Sequence, residues 1–330
     1  MRLLRKLAFP FALLYGLVVY LRNWCYDIGI FSSRTFTTPS ICIGNLSVGG
    51  TGKTPMVELL VQLLRSEYRL AILSRGYRRR TRGFVLATDD SSAAEIGDEP
   101  LQLYLKFPGI SIAVDTDRRR GITRLEQQIK PDLILLDDAF QHRRVSPDLS
   151  LLLTACDELY VDDYFLPTGN LRDSRKEARR ADIIVVTKCR DGLTEAEMQQ
   201  IIARLHPAPH QQVLFASLIY DGRLGGGGSE LSLEELKDSP FTLLTGIANS
   251  GPLVFFLQNR GLEFEHLKFG DHHFYTAKEL AGLGEDRYVL TTEKDYGRIE
   301  HPPSNLYYIK VRHQLLGDGL SLLRKRLQEL

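Results

Sequence analysis

The feature that most constrains this chain is a short apolar run that leads into a glycine-rich loop and then into an apolar-periodic segment. The run covers residues 41–43, the loop residues 47–54, and the following segment residues 56–64. This order of strand, loop and helix is typical of a phosphate-binding loop of the pattern G-x-x-x-x-G-K-[ST]. Ser47 stands where the pattern begins with glycine, a position that requires only a small residue. The flanking strand and helix disfavour the alternative, a glycine-rich turn that contains Gly-Lys-Thr by chance.

The residue types of this loop match the chemistry of binding a nucleotide phosphate. Gly49, Gly50 and Gly52 let the backbone curl so that successive N–H groups point at phosphate oxygens. The helix that follows adds the positive end of its dipole. Lys53 can reach the outer phosphates, and the Thr54 hydroxyl can ligate Mg²⁺. The residues predicted to bind ATP are Ser47, Val48, Gly49, Gly50, Thr51, Gly52, Lys53 and Thr54.

A phosphate-binding loop needs a second acid to hold the metal, and a pair of aspartates is well placed to supply it. Residues 132–136 predict an apolar strand that ends in Asp137-Asp138. Either aspartate can be the Mg²⁺ ligand, and the alternative is a pair of solvated turn residues. Gln141 and His142 continue the same strand end, where they either contact nucleotide or substrate or only cap the turn.

Other charged residues also follow apolar segments along the chain. In an open α/β sheet the ligand crevice lies outside the carboxyl ends of the strands, so we expect these residues to face one site. Basic side chains there suit a substrate or transition state that is rich in phosphate charge, and Arg118 is the candidate for stabilising the transferred charge. The residues in these positions are Arg75, Asp115, Asp117, Arg118, Arg172 and Lys188, with Tyr77 close to Arg75.

The order of segments predicts an α/β fold with two parts. Continuous apolar strands separated by helices indicate a parallel sheet covered on both faces, here a P-loop kinase-like domain over residues 31–210. A glycine-rich and polar stretch predicts a linker or hinge over residues 211–240. A smaller α/β domain that completes the active site follows over residues 241–330, and residues 1–30 form an N-terminal helix.

The smaller domain carries two adjacent histidines between a predicted strand and a predicted helix. They belong to the stretch Asp271-His272-His273-Phe274, which follows the carboxyl end of that strand. This position favours a catalytic role over a structural one. Metal ligation is a weaker alternative, because the side chains of adjacent residues diverge.

Composition and one imperfect motif exclude several classes of function. A hydrophobic fraction of 43% and a charged fraction of 25% are typical of a globular protein, and a net charge of +1 gives no indication of a nucleic-acid partner. The four cysteines show no C-x-x-C spacing, which fits a reducing cytoplasm. A GTPase would carry N-K-x-D, whereas here Lys188 is followed by its acid, Asp191, one position too late. ATP is therefore the expected nucleotide.

The N-terminal helix has an unusual apolar character. Residues 7–21 contain no charge, and Arg2, Arg5, Lys6 and Arg22 flank them. The run is broken by a proline and is shorter than the ~20 residues of a membrane span, and no convincing signal-peptide cleavage site follows it. We expect a helix in the membrane interface, with a plain amphipathic or core helix as the alternative.

Seven stretches of the chain together resemble the tetraacyldisaccharide 4′-kinase (lipid A 4′-kinase) family of Gram-negative bacteria. They occur in the same order as in that family and extend over nearly the whole chain. The most specific are the Asp-Asp-x-Phe-Gln-His stretch (residues 137–142) and the Asp-His-His stretch (residues 271–273). The stretches are residues 44–55, 74–77, 97–100, 137–142, 167–172, 271–274 and 292–295.

This resemblance implies a specific reaction. MgATP would donate phosphate to the 4′-hydroxyl of an acylated disaccharide 1-phosphate, giving the 4′-phosphorylated lipid A precursor, lipid IVA. The enzyme would act at the cytoplasmic face of the bacterial inner membrane as a peripheral or monotopic protein, and no protein partner is implied. The resemblance also implies that Asp98 and His272 act together to activate the acceptor hydroxyl. The residues themselves predict Lys53 and Arg118 as further catalytic residues, because phosphoryl transfer depends on neutralising charge.

Two other interpretations stay open at this point. The chain could be a P-loop kinase of a small phosphorylated metabolite, although its apolar N-terminus disfavours that. It could also be a membrane-bound nucleotide-switch ATPase, whose turnover would not depend on a lipid acceptor.

Overall fold

The computed structural model describes residues 5, 7–284 and 286–330. Arg2 and Lys6, predicted as basic flanks of the first helix, lie outside these residues. The helices and strands are, in chain order, α1 Phe9–Asp27, β1 Ser40–Asn45, α2 Lys53–Leu64, β2 Leu70–Ser74, β3 Val85–Leu86, α3 Ala93–Ile96, α4 Asp98–Lys106, β4 Ser111–Val114, α5 Arg118–Gln128, β5 Leu133–Asp137, β6 Leu149–Ala155, β7 Ile183–Thr187, α6 Glu195–Leu205, β8 Gln212–Tyr220, β9 Gly225–Gly226, β10 Phe241–Thr245, α7 Gly251–Asn259, β11 Phe264–Lys268, α8 Ala277–Ala281, β12 Val289–Thr292, α9 Glu293–Tyr296, β13 Leu306–Ile309, β14 Val311–Leu315 and α10 Gly319–Gln328.

The larger sheet has nine strands in the order β14-β8-β7-β6-β1-β5-β2-β4-β3. Its interior strands run parallel, and only the edge strands β3 and β14 pair antiparallel with their neighbours. Successive residues of β1 point to opposite faces: Ile41 and Ile43 pack with helices α2, α4 and α10, whereas Cys42 packs with α5 and α6. Burial on both faces explains why the strands of this sheet are continuously apolar in sequence.

The smaller sheet has five strands in the order β11-β10-β12-β13-β9, with only β9 antiparallel. We call this sheet and its helices (residues 225–309) the small-sheet unit, and the remainder (residues 9–220 and 311–328) the large-sheet unit. The predicted α/β architecture, with a large parallel sheet and a smaller second unit, is confirmed.

The path of the chain between the two units differs from the sequence prediction. The stretch over residues 306–311 is divided between two strands, because the chain changes sheets at Lys310, so that β13 pairs with β12 and β14 pairs with β8. The predicted linker contains β8, which is a strand of the large sheet. Arg175–Arg180 forms a short 3₁₀ helix before β7. The division into domains at 210 and 240 stays a prediction.

Helix α1 packs on the large-sheet unit through a narrow face and exposes most of its apolar side chains. Ala12, Gly16, Val19 and Asn23 are buried, and the ring of Phe165 lies so close that a Cβ on Gly16 would sit 2.8 Å from it. The exposed apolar side chains include Phe11, Leu13, Leu14, Leu17, Val18, Leu21 and Trp24. Among the described residues, every helix is too short or insufficiently apolar to span a bilayer.

A buried polar cluster fixes the far end of α1. Asn23 donates to Asp173 across 2.7 Å, and Arg22 forms an ion pair with the same carboxylate at 3.2 Å. Earlier in the helix, the Tyr15 hydroxyl donates to the carbonyl of Arg172 at 3.0 Å. Helix α1 is therefore tied directly to the residues around the candidate site.

Candidate active site

The phosphate-binding loop connects the end of β1 to the start of α2, as predicted from the sequence. Gly49 and Gly52 adopt φ values of 117° and 84°, which only glycine adopts without strain. Lys53 opens α2, and its Nζ atom lies 3.3 Å from Asn45 Oδ1. The loop thus leads directly into the N-terminus of α2, a position suited to binding phosphate.

Two contacts from other strands hold this loop in place. The Thr187 hydroxyl donates to the carbonyl of Thr51 at 2.8 Å. The imidazole Nε2 of His313, on β14, donates to the carbonyl of Gly52 at 2.8 Å. Burial lowers the pKa of His313, so its ring is neutral. A Cβ on Gly52 would lie 2.7 Å from this ring, which gives a second reason for glycine there.

The acid pair lies beside the loop, because β5 and β1 are neighbours in the sheet. Ser74 donates to Asp137 at 2.9 Å, and burial together with the nearby Glu99 carboxylate raises the pKa of Asp137 to about 6. Asp138 forms ion pairs with Arg172 and, at 3.6 Å, with Lys53. Burial alone would raise the pKa of Asp138, but Arg172 and Lys53 outweigh it and hold this pKa well below its usual range.

Arg118 is buried and its guanidinium binds backbone carbonyls. Its Nη1 donates to Asp115 O at 2.7 Å and its Nη2 donates to Asp137 O at 2.9 Å, so it joins the ends of β4 and β5. Its Nε atom is buried without a hydrogen-bond partner among the described residues. The predicted role in stabilising transferred charge stays a prediction, and these contacts add a structural role that the sequence did not indicate.

The residues predicted to contact substrate or nucleotide lie around the same strand ends. Arg75 and Tyr77 are exposed at the end of β2. Gln141 donates to the carbonyl of Asn45 at 2.7 Å, next to Arg172, which donates to Asn45 Oδ1 at 2.5 Å. The His142 ring accepts from the backbone N–H of Arg118, and burial followed by the Arg118 charge lowers the pKa of His142 to about 4.

Asp98 and His272 meet across the two units. The carboxylate Oδ2 of Asp98, in the first turn of α4, lies 3.0 Å from Nδ1 of His272, in the loop after β11. The N-cap of α4 is Gly97, so the Asp98 carboxylate does not cap this helix and binds His272 and Arg298. These two contacts outweigh burial and lower the pKa of Asp98.

The second histidine of the pair points elsewhere. Nε2 of His273 lies 3.1 Å from Glu279, and its ring stacks on Phe269 with the centroids 4.5 Å apart. Within the part of the chain that the structure describes, no group of three or more His, Cys, Asp and Glu side chains is arranged to hold a metal ion. The geometry therefore separates His272, in the site, from His273, in the packing of the small-sheet unit.

Three residues of the site were not predicted from the sequence. Asn45 is fully buried under the loop and accepts from both Lys53 and Arg172. Arg298 contacts both Asp98 and His272, and His313 holds Gly52. Asn45 lies in the stretch over residues 44–55, and its place at the end of the strand before the loop indicates a position in the site. Arg298 and His313 lie outside all seven family stretches.

Ion pairs also join the two units next to this site. Lys106, on α4, lies 2.8 Å from Glu58 of α2 and 2.7 Å from Glu293 of the small-sheet unit. Lys294, the next residue, pairs with Glu99 at 3.0 Å. The surface between the units is therefore charged, which is more typical of units that can separate than of a permanent interface.

Comparisons with known proteins agree with this geometry. A family model described as tetraacyldisaccharide-1-P 4′-kinase matches residues 4–328. The chain is 47% identical to the tetraacyldisaccharide 4′-kinase of Flavobacterium johnsoniae, over 94% of this chain and 93% of the relative. It is 42% identical to the protein of the same name from Bacteroides thetaiotaomicron, over 91% of this chain and 84% of the relative.

A solved structure is similar over its whole length. The "apo" form of LpxK from Aquifex aeolicus, crystallised in complex with ATP, superposes with a TM-score of 0.82 at 30% identity. The alignment covers 99% of each chain. Fold and sequence therefore point to the same family of kinases.

Proposed function

The chain belongs to the tetraacyldisaccharide-1-P 4′-kinase family, and we propose how its own residues carry out the activity of that family. The protein phosphorylates the 4′-hydroxyl of a tetraacyldisaccharide 1-phosphate with ATP, a step of lipid A synthesis. The observation that supports our assignment of roles is the contact between Asp98 and His272, which come from different units. Glu99, the neighbour of Asp98, is close enough to Asp137 at the end of β5 to raise its pKa, which supports a location of this pair near the candidate ATP site.

The loop over residues 47–54 binds the triphosphate through its backbone N–H groups and the N-terminus of α2. Lys53 leaves Asn45 and contacts the outer phosphates, because their oxygens carry more negative charge than an amide oxygen, while Asp138 keeps Arg172 as its partner. Phosphoryl transfer requires mainly positioning and neutralisation of charge, which these donors provide.

Mg²⁺ fits the oxygen donors beside the loop. Thr54, Asp137 and Asp138 would supply the hard oxygen ligands that Mg²⁺ prefers, together with oxygens of the nucleotide phosphates. Burial, and after it the nearby Glu99 and Asp138 carboxylates, raise the pKa of Asp137, and a divalent cation would stabilise the ionised form of this acid. When bound, the ion polarises the phosphates of ATP.

His272 accepts the proton of the 4′-hydroxyl as the acceptor attacks the γ-phosphate. Asp98 receives a hydrogen bond from Nδ1–H of the ring, which leaves the lone pair of Nε2 free to take the proton. Around it, basic and amide groups bind the polar head of the acceptor. We assign this role to Arg75, Tyr77, Gln141, His142 and Arg172, and the stabilisation of transferred charge to Arg118 and Lys53.

We assign the enzyme to the cytoplasmic face of the inner membrane, with helix α1 as its membrane contact. Its exposed apolar side chains have no cover among the described residues, and the acceptor carries acyl chains that reside in a bilayer. Arg34, Arg119 and Arg124 line one cleft close to the end of this helix, where they suit anionic headgroups. The hydrogen bond from Tyr15 to Arg172 connects this surface to the site.

Closure of the units completes the site in our proposal. Asp98 and His272 come from different units, so the catalytic pair exists only when the two are in contact. The connections at residues 221–224 and at Lys310 are the short segments that can act as hinges. We propose residues 31–210 as the body of the ATP-binding domain and residues 241–309 as the closing domain, because β14 and α10, which follow Lys310, belong to the large-sheet unit.

A radiolabel assay tests these assignments. The protein is incubated with γ-labelled ATP, Mg²⁺ and tetraacyldisaccharide 1-phosphate in detergent micelles, and the lipid product is separated by thin-layer chromatography. We expect labelled lipid from the wild type and essentially none from His272→Gln, with similar ATP affinity in both. Full ATP turnover without the acceptor would instead indicate a nucleotide-switch ATPase.

A further inference from the structure

Arg298 is a buried arginine that contacts both members of the catalytic pair. It follows α9 in the small-sheet unit, and its side chain has no exposed surface. Its Nε donates to Asp98 Oδ2 at 2.9 Å, and its Nη2 lies 3.1 Å from His272 Nδ1. Its remaining nitrogen, Nη1, donates to Gly246 O at 3.1 Å and to Asp295 Oδ1 at 3.0 Å.

These contacts fix the position of the arginine independently of the catalytic pair. Asp295 is itself fully buried and accepts the backbone N–H of Gly246 at 3.0 Å. The carbonyl of Gly246 also accepts the backbone N–H of His272 at 3.0 Å. Arg298 and the His272 backbone therefore share one rigid support, and the guanidinium cannot move away from the ring without breaking it.

Nδ1 of His272 cannot satisfy both of its neighbours at once. In the neutral tautomer that the proposed base requires, Nδ1–H donates to Asp98 and Nε2 keeps its lone pair, so Arg298, whose guanidinium has donors only, acts on the ring through its charge rather than through a hydrogen bond to Nδ1. The doubly protonated ring suits Asp98 but places two positive groups 3.1 Å apart. Arg298 thus opposes the imidazolium, and it also neutralises part of the Asp98 charge that would favour it.

The other groups that face the ring are few. Asp271, in the same loop, has a carboxylate oxygen 3.8 Å from Nε2 and is partly exposed. Tyr77, from the loop after β2, has its ring centroid 6.2 Å from that of His272. Among the described residues the charges nearest to Nδ1 are therefore one acid, Asp98, and one base, Arg298.

We propose that Arg298 is a positioning residue that keeps His272 neutral, and so able to accept a proton, near neutral pH. This inference rests on the proposed role of His272 as base. Without Arg298, Asp98 and His272 would form a carboxylate–imidazolium pair whose ring nitrogens both carry protons. The ring would then accept a proton from the sugar hydroxyl only at higher pH. A general base acts only when its nitrogen is unprotonated at the working pH, and Arg298 opposes the second proton on the ring.

The test is the pH dependence of kcat at saturating ATP and acceptor for the wild type, Arg298→Gln and Arg298→Lys. In Arg298→Gln we expect the acidic limb of the pH–kcat profile, where kcat falls at low pH, to lie about one pH unit higher than in the wild type, because a charge within a few ångströms moves a pKa by about that much. Its kcat would fall about 10-fold at pH 6.5 and approach the wild-type value at pH 9. Arg298→Lys retains the positive charge, so its acidic limb should stay in place while kcat falls at every pH.

Arg287→Gln is the matched control, because Arg287 lies in the same unit but is exposed and pairs only with Glu265 among the described residues. Its profile should equal that of the wild type. The acceptor phosphate titrates identically in all variants, so differences between the profiles report the enzyme. A uniform loss of kcat in Arg298→Gln, with the limb unmoved, would overturn the proposal and leave only a structural role.

A second measurement covers the case in which Arg298→Gln folds poorly. The ¹⁵N chemical shifts of His272 in ¹⁵N-histidine-labelled wild type and Arg298→Lys, assigned with His272→Gln, report ring protonation directly. We expect a neutral ring at pH 7 in both, and a doubly protonated ring in the wild type would overturn the proposal. If His272→Gln retains full kcat, the assignment of the base fails instead, which distinguishes the two failures.

Discussion

The ammonium group of Lys53 lies 3.3 Å from the side-chain oxygen of Asn45, the last residue of the strand that leads into its own loop. The same oxygen accepts Arg172 at 2.5 Å. One neutral, fully buried side chain therefore orients two cations beside the acid pair. An amide oxygen suits this position because a carboxylate would hold Lys53 more strongly and hinder its transfer to a phosphate.

Replacing Asn45 should damage ATP use more than stability. In Asn45→Ala the buried cations lose a charged hydrogen bond, worth roughly 1.5–3 kcal/mol, so we expect kcat/KM for ATP to fall about 10- to 100-fold. Steady-state kinetics with varied ATP would measure this. Ser40→Ala, at the other end of the same strand, is the control and should change it less than twofold. Equal effects of the two substitutions would contradict a role of Asn45 in the site.

The two adjacent histidines should behave differently. His272→Gln removes the proposed base, and we expect kcat to fall about 10²- to 10⁴-fold with little change in ATP affinity. His273→Gln, whose ring packs on Phe269 and contacts Glu279, should retain kcat within several-fold and lower the melting temperature. Single-turnover kinetics and thermal unfolding separate these outcomes. A larger loss of kcat in His273→Gln would reverse the assignment.

The support of the loop by His313 predicts a distant effect on nucleotide binding. His313→Ala removes one of two donors to the carbonyl of Gly52, which keeps the backbone N–H of Met56, at a cost of about 0.5–1.5 kcal/mol, and we expect ATP to bind about 2- to 10-fold more weakly. His313→Gln can still donate to this carbonyl and should retain most of the affinity. Isothermal titration calorimetry would measure both, and unchanged affinity in His313→Ala would show that the loop keeps its shape unaided.

Glu58 gives the stability of the protein a specific pH dependence. Burial raises the pKa of Glu58 to about 7, and the unfolded chain has an ordinary glutamate. The folded state therefore binds more protons between about pH 4.5 and pH 7, and the free energy of unfolding falls as the pH rises through this range. Lys106 keeps Glu293 as a partner whether Glu58 is protonated or ionised.

Glu58→Gln should not lose stability as the pH rises, because glutamine does not ionise. The free energy of unfolding of this variant should match that of the wild type at pH 5 and exceed it by about 2–3 kcal/mol at pH 8. Urea unfolding at both pH values checks this, and a difference that does not change with pH would contradict it.

The exposed face of α1 should govern vesicle binding without affecting the fold. Leu13 and Leu17 are 60% and 55% exposed, so replacing both with Asp should leave the melting temperature nearly unchanged. Each buried leucine contributes roughly 1.5–3 kcal/mol to partitioning, so co-sedimentation with anionic vesicles should fall more than 10-fold. Phe255→Asp, at an exposed site on α7, is the control. Undiminished binding of the double variant would reject α1 as the membrane contact.

Local features could be predicted from the sequence, because their causes are local. The loop after β1 and the aspartates after β5 follow from residue types in a short window, and parallel pairing of β1 with β5 brings them together. The candidate pair of Asp98 and His272 came from a family resemblance, since nothing in either window indicates a partner 174 positions away.

The remaining parts depend on tertiary packing. Arg298 is one of many arginines in the sequence, and only the approach of the units places it at the catalytic pair. The strand change at Lys310 has no signal, because β13 and β14 are consecutive and similar in pattern. Tertiary contacts also determine that the Asp98 carboxylate binds His272 and Arg298 rather than capping its own helix.

The hydrogen bond between His313 and Gly52 has a consequence for the order in which the protein is made. The ribosome synthesises the glycine-rich loop early, and the strand that holds it follows 261 residues later. During most of translation the nascent chain therefore carries a loop with all of its glycines and its lysine but without this restraint. The nucleotide site reaches its final form only after nearly every other part of the chain has been made.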